Sequence, residues 1–174
     1  IIFDADFGLA NVEVMFGAIP KYNLSDLIFK GKNITEIITE GPNGIGFISG
    51  GSGIVALSNL NREQISYLIR NLSYLDQMAD FIIIDTGAGI SDSVMDFVLA
   101  SPEIIMVSTP EPSSLTDSYS LLKTLYRNPS FQKENGKVKV ITNKVNSAED
   151  AAMVYRKLDT DVSKFLGGNL EFLG

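Results

Sequence analysis

Phe81-Ile82-Ile83-Ile84-Asp85-Thr86-Gly87-Ala88-Gly89 is the stretch on which the fold class turns. An unbroken apolar run ends in a carboxylate, and a small, glycine-rich turn then leads into the helical spacing of Ser91 to Leu99, which carries Val94, Phe97 and Val98. A continuous run of this length reads as a strand covered on both faces. Working outward, similar runs recur at Ile1 to Phe3, Gly46 to Ser49, Ile104 to Val107, Val138 to Thr142 and Leu170 to Leu173. Helical periods lie between them. Asn61 to Met78 places Ile65, Leu68, Ile69, Leu72 and Leu75 on one face, with Asn61, Glu63 and Gln64 as a capped start. Ser113 to Tyr126 and Ser147 to Phe165 follow. Strand and helix alternate with short connections, so the expected class is α/β, a mostly parallel sheet flanked by helices. No repeat, low-complexity tract or linker interrupts residues 1–174, so one domain is expected.

Composition narrows the chemistry. The 174 residues are 45% hydrophobic and 20% charged, enough apolar material for a compact core. With no cysteine and no histidine, disulfides, thiolate metal sites and imidazole chemistry are excluded for this stretch. Carboxylates, hydroxyls, amides and backbone groups remain. A net charge of -7, with lysines and arginines scattered, argues against binding nucleic acid by phosphate neutralisation. No apolar run approaches the roughly 20 residues of a membrane-spanning helix, and the first residues carry no signal-peptide pattern, so a cytoplasmic location is expected. The opening Ile1-Ile2-Phe3-Asp4 reads as the middle of a strand and the closing Leu170 to Gly174 as strand-like alternation, so the domain is expected to be incomplete at both ends.

In parallel sheets ligands gather beyond the carboxyl ends of the strands. Asp4-Ala5-Asp6-Phe7-Gly8-Leu9-Ala10-Asn11 puts two carboxylates on one side of a strand end, where they can hold a hydrated Mg²⁺ or orient a water, or simply form a turn. Asp85 ends a buried run in the manner of a Walker-B aspartate that meets Mg²⁺, with Gly87 and Gly89 permitting close approach to a γ-phosphate; a capped strand-to-helix turn is the alternative. After Pro110 and Pro112, Ser113 or Ser114 can cap a helix whose first turn would hold Asp117, favourable there simply as an anion. Asn143 can recognise a purine edge or serve as a turn residue. Neither Gly31-Lys32 nor Gly136-Lys137 completes a phosphate-cradling Gly-x-x-x-x-Gly-Lys-Ser/Thr loop, and Gly50-Gly51-Ser52-Gly53 reads as a mobile loop.

Taken in order, Asp4 to Val12, Gly50 to Ile54, Asp85 to Ile90 and Thr109 to Asp117 resemble the MinD-like members of the MinD/ParA class of P-loop ATPases, and within them the regulators of flagellar number and placement. The likeness covers nearly the whole chain. It implies that Asp6 is the switch I aspartate that positions the attacking water and that Asp4 lies near the magnesium and the P-loop lysine. It further implies that Asp85 is the Walker-B aspartate, that Gly89 lies in switch II, that Asp4, Gly87 and Gly89 belong to the nucleotide-binding edge, that Asp117 is an interface aspartate responding to dimerisation, and that Asn143 recognises adenine. The family implies ATP and Mg²⁺, an ATP-dependent homodimer, flagellar assembly or regulatory proteins as partners, and attachment to the inner face of the cell membrane through a C-terminal amphipathic tail. The P-loop strand would precede residue 1, and its absence is expected to leave strands Ile1 to Phe3 and Phe81 to Ile84 without a neighbour and the chain prone to associate. A non-catalytic interaction module of the same fold and a ParA-like partitioning ATPase are the alternative readings.

Overall fold

Strand β1 (Ile2–Ala5) is buried from Phe3 onward, and two other parallel strands sit against it. The computed structural model describes residues 1–7, 9–133 and 136–174; Gly8 of the first motif lies outside them. They form two compact units, one of residues 1–87 with 92–97 and the other of 88–91 with 98–174.

In the first unit the strand order is β2 (Thr39–Glu40), β3 (Gly46–Ile48), β1, β4 (Ile83–Thr86). β1 runs parallel to both β3 and β4, while β2 pairs antiparallel with β3. Two short helices, α1 (Val12–Phe16) and α2 (Leu24–Phe29), follow β1, and α3 (Arg62–Leu72) follows β3. The core gathers Phe3, Leu24, Leu27, Ile48, Leu68 and Phe97, the last from α4 (Asp92–Ala100). Phe97 stands 5.6 Å from Phe3 and 5.8 Å from Phe7, between centroids. α3 starts as its sequence requires: Asn61 accepts from the Gln64 amide and Gln64 from the Asn61 amide, each at 2.9 Å.

In the second unit β5 (Ile104–Ser108), β6 (Val138–Thr142) and β7 (Leu170–Phe172) form a wholly parallel sheet. Helices α5 (Pro112–Tyr126), the short α6 (Pro129–Lys133) and α7 (Ala148–Leu166) join them. Leu122, Leu125, Val138, Val140, Leu158 and Val162 are fully or almost fully buried. The Tyr126 hydroxyl donates to Asn169 O and the Tyr155 hydroxyl to Leu170 O, while Asp159 accepts from the Leu170 amide, so three side chains fix the entry to β7.

Several sequence expectations shift. The strand expected at Phe81 to Ile84 begins two residues later, leaving Phe81 81% exposed. β4 is the edge of its sheet and Ile83 is exposed, so the apolar run is not covered on both faces by the described residues. β5 likewise buries Met106 and Ser108 but exposes Ile105 and Val107. β1 has a partner on each side, so it lacks no neighbour; among the strands of that motif pair only β4 has an open edge. The helix expected to run from Asn61 to Met78 ends at Leu72 and tightens into a 3-10 turn over Ser73–Leu75. Among the described residues, no helix is long and apolar enough to cross a membrane.

Candidate functional site

Parallel pairing of β1 with β4 sets Asp4 beside Asp85 and Ala5 beside Thr86, so both strands deliver their carboxylates to one sheet edge. Asp6 follows directly, and Gly87 closes the opposite turn. The backbone of Gly87 comes so near Asp6 that a Cβ at position 87 would lie 2.8 Å from Asp6 Oδ1. Only glycine leaves that carboxylate its place.

Asp4 is 1% exposed, and both of its carboxylate oxygens accept hydrogen bonds. Oδ1 accepts from the Asp6 amide at 3.2 Å; Oδ2 accepts from Asn11 at 3.0 Å and Val12 at 3.2 Å. Asn11, the N-cap of α1, makes no side-chain cap of its own. Asp4 takes that role from a distance, satisfying amides that a helix start leaves free. Burial pushes the Asp4 carboxyl above its usual range; the three amides pull it down, and the charge of Asp85 adds to the rise. Asp85 is solvent-exposed as a residue, yet its carboxyl is also raised, first by desolvation and then by the negative charge of Asp6. Three carboxylates therefore share one edge, with Asp4 turned inward onto amides and Asp85 outward.

The end of β3 completes this edge with residues that the sequence reading passed over. The Ser49 hydroxyl donates to Glu13 of α1, its Oγ accepts from the Gly51 amide at 3.0 Å, and its carbonyl accepts from Leu24 at 3.1 Å. A Cβ on Gly50 would lie 2.8 Å from the Asp4 carbonyl oxygen and 3.0 Å from the Ala10 Cβ. Gly50 and Gly51 are thus buried packing elements rather than part of an open mobile loop; only Ser52 and Gly53 are exposed. Paired glycines after a strand signal close approach; Ile54 and Leu57 crowd Gly51 from nearby in sequence, but Asp4 and Ala10, which crowd Gly50, are out of reach of a local pattern.

The remaining site residues lie in the second unit. Gly89 has φ 104°, a conformation that resists side chains. Ser114 does not cap α5 in the expected way: Glu111 is the N-cap residue and Pro112 opens the helix. Instead Ser114 Oγ accepts from the Thr109 amide at 3.0 Å, and the Ser118 hydroxyl donates to buried Ser108 at 3.0 Å. With the helix starting at Pro112, Asp117 falls in its second turn, exposed, not in the first. Asn143 donates its amide to Ser108 O at 2.8 Å, and its side-chain oxygen accepts from the Lys144 amide at 2.8 Å. The structure brings Asp4, Asp6, Asp85 and Gly87 together in one unit, and the ends of β5 and β6, with Asn143, in the other.

Among the described residues no group of three or more carboxylates is arranged to hold a metal by itself. Mg²⁺ bound with a nucleotide takes one or two carboxylates and fills the rest of its octahedron with water and phosphate oxygens. Asp85 has the exposure for that role. Asp4, with both oxygens on amides, does not.

No protein-family model matches the chain. It is 33% identical over 174 residues to the antiactivator FleN of Pseudomonas aeruginosa, covering 100% of this chain and 61% of FleN. It is 32% identical over 158 residues to the flagellum site-determining protein YlxH of Helicobacter pylori, covering 90% of this chain and 51% of YlxH. The chain thus spans between half and two thirds of these relatives. Among solved structures, the septum site-determining protein MinD of Pyrococcus horikoshii, complexed with Mg-ADP, superposes with a TM-score of 0.69 at 22% identity, over 88% of this chain and 63% of that one. The chain therefore has the fold seen in MinD and is similar along its whole length to the antiactivator FleN and over 90% of it to the flagellum site-determining protein YlxH.

Proposed function

We propose that this chain is the switch-bearing part of an ATP-hydrolysing positional switch that controls flagellar number or placement. The observation that carries the reading is the carboxylate edge made by paired parallel strands, which sets Asp4 beside Asp85, leaves Asp6 close enough for its charge to act on Asp85, and presses Gly87 against Asp6. Asp6 orients the attacking water, and Asp85 meets Mg²⁺ directly or through water. When bound, that ion neutralises charge on the phosphates. Gly87 and Gly89 let the backbone follow the γ-phosphate, and Asn143 contacts adenine. Asp117, exposed on α5, belongs to the face that senses a second copy in an ATP-dependent homodimer. The phosphate-cradling loop is supplied by sequence outside residues 1–174, on a strand that adds to the open edge of β4.

Flagellar assembly or regulatory proteins are the proposed partners, suggested by the similarity to FleN and YlxH. The intact protein is proposed to work in the cytoplasm, visiting the inner face of the membrane through a tail beyond this chain. The test uses the full-length protein. Asp6→Ala should bind Mg-ATP with near-normal affinity and lose turnover by roughly the 10²-fold typical of an orienting or general-base group. Turnover within about twofold of the parent, against that expectation, makes Asp6 a turn former.

A further inference from the structure

The geometry points to Asp4 as a positioning residue, one that holds Asp6 in its working orientation through backbone amides and touches neither nucleotide nor metal. This rests on the hydrolytic reading of Asp6 given above. Asp4 sits in a strand and Asp6 in the turn after it, where one peptide rotation swings a carboxylate away from the sheet edge. Asp4 removes that freedom: Oδ1 binds the amide of Asp6 itself, and Oδ2 binds Asn11 and Val12, where the chain re-enters a helix. Both ends of the segment bearing Asp6 are therefore tied to one buried group. The Gly50 backbone packs on the Asp4 carbonyl and on Ala10, so the strand end that follows β3 lies directly on this segment. Ser49, through Glu13, ties α1 to the same strand end.

A carboxylate that binds Mg²⁺ or a lysine needs a free oxygen facing the ligand. Asp4 lacks that exposure, and both of its oxygens already accept from backbone amides. A change there falls on the alignment of Asp6, a matter of about an ångström, and misplacements of that size typically cost up to 10²-fold in rate while leaving binding intact.

The test is made on the full-length protein with Asp4→Asn, which keeps the size but turns an N–H toward at least one backbone N–H. Residue-resolved hydrogen exchange without nucleotide should show at least one side of the group released, the Asp6 amide or the Asn11 and Val12 amides exchanging at least about tenfold faster, the opening expected when a hydrogen bond to a charged group is lost. ATP affinity should stay within about twofold, while turnover falls toward that of Asp6→Ala, and Asp4→Asn with Asp6→Ala should be no slower than Asp6→Ala alone. Unchanged exchange at the three amides overturns the proposal, as does a loss of ATP affinity that outruns the loss of turnover. If the parent protein proves not to hydrolyse ATP, the exchange result still decides whether Asp4 anchors the segment, and the failure then lies with the hydrolytic reading. Should Asp4→Asn not fold, Gly50→Ala keeps the carboxylate but crowds the Asp4 carbonyl and Ala10: faster exchange and slower turnover at normal affinity support the proposal, and unchanged exchange overturns it.

Discussion

Asp6 Oδ1 occupies the space that a side chain on Gly87 would need, 2.8 Å from the position of its Cβ. The intruding atom would meet the free end of a flexible carboxylate, which can rotate away. Gly87→Ala should therefore change stability by no more than about 0.5 kcal/mol, as for substitutions that bury nothing and break no partner. Turnover of the full-length protein should still drop, because the carboxylate that moves is the proposed water-orienting one. Parallel urea unfolding and single-turnover hydrolysis check this; a large loss of stability would show that the backbone, not Asp6, gives way.

Ser49→Ala removes a buried hydroxyl that serves two partners. It leaves the Gly51 amide without an acceptor and Glu13 without its donor. A loss of about 1–3 kcal/mol in urea unfolding is expected, the cost of buried groups left unpaired. Glu13→Gln, which keeps an acceptor, should lose less.

Stability should depend on pH through Asp4 and Asp85, both raised above the ordinary 3.8 in the folded state. A folded form with raised values holds protons that the unfolded chain has already released. Stability is then greatest at low pH for these two groups, falls as pH rises from 3.8 through their folded values, and levels off above them. Urea midpoints measured across this range in the presence of a chelator should decline, and Asp85→Asn should flatten the decline.

The cap of α3 offers a local control. Asn61→Ala deletes the acceptor for the Gln64 amide and should cost about 1 kcal/mol without altering any property of the carboxylate edge. A change in ATP turnover would contradict the separation of the two.

Open strand edges should show in solution. β4 ends its sheet with Ile83 exposed, and β5 ends the other with Ile105 and Val107 exposed. Residues 1–174 alone should associate with rising concentration in light scattering, since unpaired apolar edges template pairing with another chain. Ile83→Lys or Ile105→Lys should suppress it; a concentration-independent monomer would show that these edges are covered.

The alternation of apolar runs with helical periods, the carboxylates at strand ends and the Asn61 cap are local patterns, and local sequence determined them. A strand's period, a helix's period and a cap each depend on residues within a few positions of one another. The bonds that set the site span greater distances. That Asp4 faces the amides of Asn11 and Val12, that Ser49 reaches Glu13, and that Gly50 lies on the Asp4 carbonyl were decided only when β1, β3 and β4 paired and α1 folded back over them. Two aspartates two positions apart look alike in the sequence, because alternation places both on the same side of a strand. Tertiary structure separates them: the strand holds Asp4 against buried amides that must be satisfied, while the turn leaves Asp6 beside a glycine with its carboxylate at the sheet edge.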